Sequence, residues 1–192
     1  MSERQIDAAL IDACRTGDRA AFQALFEAYK DKVYSIAYHF SGNPDTASDI
    51  TQQAFLKILT RIETFRSQSE LTTWIYRIVA NTCIDERRIR RRFIPLGDGL
   101  DLRTLTAKGL PDKGYYREEL SAAVSQAVAG LKPKLRMPIL LKYVEDMSYE
   151  EIAQVLGCSM GTVASRLNRG HKMLASKLAH LKGALNAGNE DV

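Results

Sequence analysis

Apolar residues recur along most of this chain in steps of three and four. Ala21, Phe22, Leu25, Phe26 and Tyr29 keep that spacing, as do Leu71, Trp74, Ile75, Ile78 and Val79, and later Ile139, Leu140, Tyr143 and Val144. Such a period lays one stripe of each helix against a core. No segment sustains the alternation of a strand, so the pattern predicts an all-α protein. Local signals divide it. Gly17-Asp18 separates a first helix from a long second one over residues 18–41. Asn43-Pro44 offers a cap followed by proline at the first helical position, opening a third helix that runs to Thr64. After "FRSQS" a fourth begins near Glu70 and ends in arginines. The stretch "FIPLGDGLDLRTLTAKGLPDKGY", residues 93–115, holds four glycines and two prolines without a long apolar period and reads as a linker. Helices resume near Tyr116. The expected architecture is two small helical domains, 1–92 and 116–182, joined by a flexible linker, 93–115, and followed by a polar tail, 183–192.

Composition narrows the class. The chain has 192 residues, 45% of them hydrophobic and 26% charged, as in an ordinary globular protein. No apolar run reaches the ~20 residues that span a bilayer, and "MSERQIDAALIDACR" lacks the form of a signal peptide, so a cytoplasmic location is expected. Cys14, Cys83 and Cys158 lie far apart without a CxxC pair and read as structural thiols, not as a disulfide framework or zinc site. His39, His171 and His180 show no metal spacing, and there is no Gly-rich phosphate loop. Thr162 and Ser165 lack an evident nucleophile–base partner. No metal, cofactor or enzymatic activity is expected.

Net charge is only +4, but its distribution is uneven. "RRIRRR", residues 87–92, carries five arginines in six positions. From Ile152 to Asn189 there is no Asp or Glu, while Arg166, Arg169, Lys172, Lys177 and Lys182 all fall there. Two separated basic segments point to two contacts with a polyanion.

The second of these segments is organised as a helix-turn-helix. Ser148 and Glu151 form the S-x-x-E capping box of a helix starting at Tyr149. Ile152, Ala153, Val155 and Leu156 face a core, Gly157 suits the left-handed residue that ends the helix, and Ser159 caps the next one. Val163 and Leu167 turn inward. Met160, Thr162, Ala164, Ser165, Arg166, Asn168 and Arg169 are left outward or flanking, where such helices meet base edges and phosphates. Arg166 is the candidate for bidentate reading of guanine. A plain helical hairpin in a bundle is the competing reading of these residues.

"LKYVEDMSYEEIAQVLGCSMGTVASRLNRG" closely resembles the −35-reading C-terminal domain of bacterial sigma factors of the extracytoplasmic-function group. "DITQQAFLKI" (49–58) resembles the group's polymerase-docking helix, and "FRSQSELTTWIYRIVANTCIDERRIRRR" (65–92) its −10 recognition and melting segment. The resemblance spans nearly the whole chain and keeps the order of three motifs. It implies that Asp49, Gln52, Gln53, Leu56 and Lys57 share one surface that docks on the β′ clamp of core RNA polymerase, with the β flap as a further polymerase contact. It assigns Phe65, Arg66, Ser67, Thr73, Tyr76, Arg77, Asn81 and Arg88 to −10 binding and melting, with Phe65 equally readable as a core residue and Trp74 as mainly structural. Capture of unpaired bases needs a pocket or stacking platform beside phosphate-binding cations. It assigns Ser159, Thr162, Ala164, Ser165, Arg166 and Arg169 to the −35 duplex. It further implies an anti-sigma factor as regulator, which would hold the chain at the inner membrane face if that factor is membrane-bound. The 23-residue linker reaches at most about 75–80 Å. That is enough to join sites about 60 Å apart along a duplex.

This copy departs from the family pattern at several points. Gln53 stands where Glu is usual, Ala164 where Lys or Arg is usual, and Gly170-His171 where Ala-Arg is usual. The expectation is weaker, more selective −35 binding, because each lost phosphate contact lowers the salt slope by about 0.9. Pro138 falls where the family has continuous helix, so that helix is expected to start late, near Arg136, or to kink. The main alternative is a helix-turn-helix regulator that is not a polymerase subunit. It would require a ligand pocket or phospho-acceptor in the N-terminal half, and no such motif is present.

Overall fold

The computed structural model describes residues 3–65, 69–93 and 113–179. They form α1 (Glu3–Arg15), α2 (Arg19–Ser41), α3 (Pro44–Arg61), a 3-10 turn (Ile62–Thr64), α4 (Leu71–Phe93), α5 (Lys113–Ala129), α6 (Pro133–Tyr143), α7 (Tyr149–Leu156) and α8 (Met160–Lys177). Among the described residues there is no strand. Helix reaches into both ends of the 93–115 segment. The remainder of that linker and the 183–192 tail lie outside the described residues.

The helix boundaries follow from the capping chemistry. Asp18 accepts from the Ala20 and Ala21 N–H groups at the head of α2, and Gly42 closes that helix in the left-handed conformation, φ 71°. Asn43 caps α3 through the Thr46 N–H, with Pro44 at its first position. α6 corrects the expectation at Pro138. It does not start late near Arg136, but begins at Pro133 and runs through Pro138 to Tyr143. Pro138 has no N–H to donate and is buried among apolar neighbours, so packing holds the helix where one backbone hydrogen bond is absent.

α2 and α3 pack along one another, and α4 lies across both. Leu25, Val33, Ile36, Ile50, Ile58, Ile75 and Val79 fill the space between them. In the C-terminal half α8 packs on α6 and α7, burying Leu141, Ile152, Val163 and Leu167. Gly170 makes the α6–α8 approach possible, since a Cβ there would stand 3.1 Å from Ile139. The two helical domains also touch. α5 and α6 pack on α2, α7 packs on α4, and the buried residues form one continuous cluster.

Candidate nucleic-acid interface

Three faces bring the predicted residues together in different degrees. On α3, Asp49, Gln52, Gln53 and Leu56 are all exposed. Leu59, one turn beyond Leu56 and about half exposed, extends the same side and was not anticipated. Lys57 departs from the expectation. It turns inward, and its ammonium donates to the Thr82 hydroxyl at 3.0 Å. An apolar residue repeating at i, i+3 on an otherwise polar face was the signal available for Leu59.

On α4 the predicted face divides. Arg77, Asn81 and Arg88 are exposed. Arg88 stands 3.7 Å from Asp85, a surface pair too weak to hold it. Thr73 and Tyr76 are buried, contrary to the placement of both on an open face. Phe65 is buried as well, its ring 5.3 Å from that of Trp74 and its carbonyl accepting from Arg15, so its place is in the core. Arg66 and Ser67 lie outside the described residues. Leu71, Ile75, Ile78, Val79 and Thr82 form the inward stripe as the spacing predicts.

The helix-turn-helix is built as its sequence demands. The Glu151 N–H donates to Ser148 Oγ at 3.2 Å, and the Ser148 N–H donates to the Glu151 carboxylate at 2.7 Å. The backbone and hydroxyl contacts of Ser148 hold the Glu151 carboxyl below its ordinary value. Gly157 turns the chain at φ 59°. Ser159 Oγ accepts from the Thr162 N–H at 3.2 Å and pairs with the Thr162 hydroxyl. With Val163 and Leu167 buried, Ser159, Met160, Ala164, Ser165, Asn168 and Arg169 face solvent. There is no acid in the first turn of α8, so the positive end of its dipole is not offset by a carboxylate of that turn. Arg166 is half-buried, with its Nη1 3.7 Å from the Cys158 sulfur. Of the departing residues, Ala164 is exposed, whereas Gly170 is buried against Ile139 and never offered a surface. His171 is exposed and shares a 2.9 Å hydrogen bond with the Tyr143 hydroxyl.

One residue with a large part in this geometry has no place among the predicted sites. Arg136 of α6 is completely buried. Its Nη1 donates to the Phe40 carbonyl near the end of α2 and its Nη2 to the Leu131 carbonyl at 2.9 Å, with the guanidinium 5.2 Å from the centre of the Phe40 ring. An arginine set in the apolar run "LRMPILL" was its signal in the sequence.

Exposed basic residues on α4 and on α8 are the surface that a nucleic-acid-binding protein would present. The comparisons with known proteins specify which kind. Residues 25–93 match the model of sigma-70 region 2, and residues 121–174 that of sigma-70 region 4. The chain is 34% identical over 179 residues to the ECF RNA polymerase sigma factor SigW of Bacillus subtilis, covering 89% of this chain and 96% of that one. It is 32% identical over 189 residues to the ECF RNA polymerase sigma-E factor of Escherichia coli, covering 94% and 98%. In fold it is similar to the sigma factor RpoE of Bartonella quintana, solved in complex with the anti-sigma factor NepR, with a TM-score of 0.64 at 24% identity over 82% of this chain and 96% of that one. It is similar also to CnrH, solved with the cytosolic domain of CnrY, with a TM-score of 0.66 at 20% identity over 91% and 97%. The chain belongs to the extracytoplasmic-function group of the sigma-70 family. As an alternative sigma factor, it directs transcription initiation.

Proposed function

We propose that this sigma factor docks on core RNA polymerase through the open face of α3, with Asp49, Gln52, Gln53 and Leu56 as its centre. The −10 element is read and melted at α4, where Asn81 contacts an unpaired base and Arg77 and Arg88 hold phosphates, together with Arg66 and Ser67 in the preceding segment. The −35 duplex is read by the first turns of α8. Ser159, Thr162 and Ser165 lie toward the phosphates and near bases, Arg166 reads a guanine after leaving Cys158, and Arg169 holds the backbone. Residues 94–112 connect the two sites. Polymerase performs the chemistry, and the sigma subunit contributes recognition and strand capture without an enzymatic activity of its own.

The observation that carries this reading is the pair of exposed basic faces, one on α4 and one on α8, in the two segments that match sigma-70 regions 2 and 4. An anti-sigma factor is the proposed regulator. Two proteins of the same fold were solved with such a factor or with a cytosolic domain bound. The site of action is the cytoplasm, where polymerase works. Among the described residues no helix is long and apolar enough to cross a membrane.

Transcription with purified core polymerase, followed by genome-wide mapping of 5′ ends, tests the proposal. Start sites that depend on the added chain are expected, and their absence overturns it. Asp49→Ala is expected to weaken core binding. Asn81→Ala is expected to spare core binding and impair opening of the −10 region, read by permanganate reactivity of unpaired thymines.

A further inference from the structure

The segment between the 3-10 turn and α4, where the proposed −10 site places Arg66 and Ser67, is held on both sides by helices with no part so far in promoter reading. On the side of its entrance, Arg15 at the end of α1 donates through Nη2 to the backbone carbonyl of Phe65. On the side of its exit, the Tyr29 and Thr72 hydroxyls pair at 2.9 Å and join α2 to the first turn of α4. We infer that Arg15 is a positioning residue for −10 recognition, fixing the chain where it enters the base-capturing segment as Tyr29 fixes it where it leaves. The inference rests on the −10 reading given above. It adds to that site the helix α1, which lies outside the matched residues 25–93.

Phe65 is held by each of its groups. Its N–H donates to the Ile62 carbonyl at 3.2 Å, its buried ring lies 5.3 Å from that of Trp74, and its carbonyl is taken by Arg15. The backbone of Phe65 is extended, with φ −69° and ψ 114°, so this carbonyl has no helical ladder to join. A peptide group is planar, and a guanidinium that holds its carbonyl therefore sets the direction in which the chain leaves Phe65. The contact is partly shielded from water, which strengthens a charge-assisted hydrogen bond. A tether serving only to fasten α1 to the bundle could use any carbonyl. The one used stands immediately ahead of Arg66.

Arg15 is itself oriented. It stands in the last turn of α1, where the helix dipole favours a cation. Its Nη1 donates to Asp12 Oδ1 at 2.8 Å, one turn back on the same helix. The planar fork thus spans Asp12 and Phe65 together, which a lysine ammonium could not do with the same rigidity. Ile11 and Cys14 form the buried stripe of α1 and seat that helix on α2 and the 3-10 turn.

The exit is fixed independently. Leu71 is buried, and the Trp74 N–H donates to the Glu70 carbonyl at 3.1 Å as α4 begins. Selection of an unpaired base depends on a few polar groups within hydrogen-bond reach, and a displacement of about 1 Å is enough to lose it. Anchors at both ends place much of the ordering cost in the folded protein, before DNA arrives. Loss of Arg15 therefore weakens capture of the preferred base more than capture of a replacement, which makes fewer of those contacts.

The test uses holoenzyme assembled from core polymerase and the full chain. One end-labelled single-stranded oligonucleotide carries the non-template −10 sequence of a start site mapped with wild type, and a second has its most preferred base replaced. Arg15→Met is expected to bind the first about tenfold more weakly and the second about as well as wild type, so that discrimination narrows. Arg15→Lys, which can still donate to the Phe65 carbonyl, is expected to recover most of the difference. Core-polymerase affinity and the salt dependence of oligonucleotide binding should match wild type. A salt slope lower by about 0.7 would mean that Arg15 meets a phosphate directly, and it overturns the positioning role. Equal loss on both oligonucleotides, or no loss on either, overturns it as well and leaves the sigma reading intact. If Arg15→Met loses its helical circular dichroism, Tyr29→Phe, which removes only the hydroxyl at the exit, decides alone, with an expected loss of about threefold confined to the preferred base. A wild-type holoenzyme that initiates nowhere overturns the sigma reading and the inference with it.

Discussion

Burial pushes the Cys83 thiol up to about 12, and it raises that of Cys14 as well. Both sulfurs are enclosed, whereas Cys158 stands partly open in the turn before α8. An aromatic disulfide reagent at pH 8 should therefore titrate one of the three thiols in the native chain and all three in denaturant. Three fast-reacting thiols in the native chain would contradict this packing. The departures from the family pattern also separate at this scale. Ala164 faces solvent on α8, so Ala164→Lys should add a phosphate contact, tighten −35 duplex binding at low salt and steepen the salt slope by about 0.9. Unchanged affinity across a salt series would remove Ala164 from the interface. Gly170→Ala should yield no such gain. Its Cβ would press on the Ile139 side chain from 3.1 Å, an overpacking worth about 1–3 kcal/mol against a helix-propensity gain of about 1 kcal/mol. Its melting temperature should fall or hold still.

The two helices of the helix-turn-helix depend on their ends. α7 has only eight residues, too few to persist without tertiary packing and a cap. Ser148→Ala should destabilise the fold by about 1 kcal/mol, measured by chemical denaturation. Glu151 adds a pH dependence whose sign follows from its lowered pKa. The depressed folded-state value means that its stabilising effect is fully present above the unfolded value of about 4.5 and is lost as pH falls through the folded value. Glu151→Ala should flatten the acid limb of the stability curve, and an unchanged limb would rule the cap out as its source. These elements were legible in the sequence because capping is local: Ser148 and Glu151, or Asn43 and Pro44, meet within one turn whatever the rest of the chain does. The side chains on α4 were less legible. Periodicity separated Leu71, Ile75 and Val79 from the rest, but could not tell that Thr73 and Tyr76 are buried, because the cover over Tyr76 comes from Glu145, 69 residues away. Lys57 failed for a related reason, since its long stem lets the ammonium leave the α3 surface for Thr82.

At the scale of the molecule, the linker segment gave two helical halves, yet nothing local announced that they share a core. Arg136 and Phe40, 96 residues apart, are the clearest case: each is ordinary within its own helix and decisive only when α6 meets α2. One continuous core predicts a single cooperative thermal transition for the wild-type chain, with calorimetric and van't Hoff enthalpies in agreement. Weakening the join with Arg136→Gln should split or broaden that transition. Two resolved transitions in the wild type would mean that the halves melt independently.

The α3 face has a practical consequence of its own. Leu56 and Leu59 stand about half exposed one turn apart, and Phe26, leaning on Phe55 from α2, is partly exposed. Apolar surface of this kind is stable in water only while it is dilute or covered. A preparation of the chain alone should become cloudier with concentration and time, whereas Leu56→Gln should keep better on the shelf and lose its hold on polymerase. The face proposed to dock on polymerase thus also limits how long the chain can be stored alone.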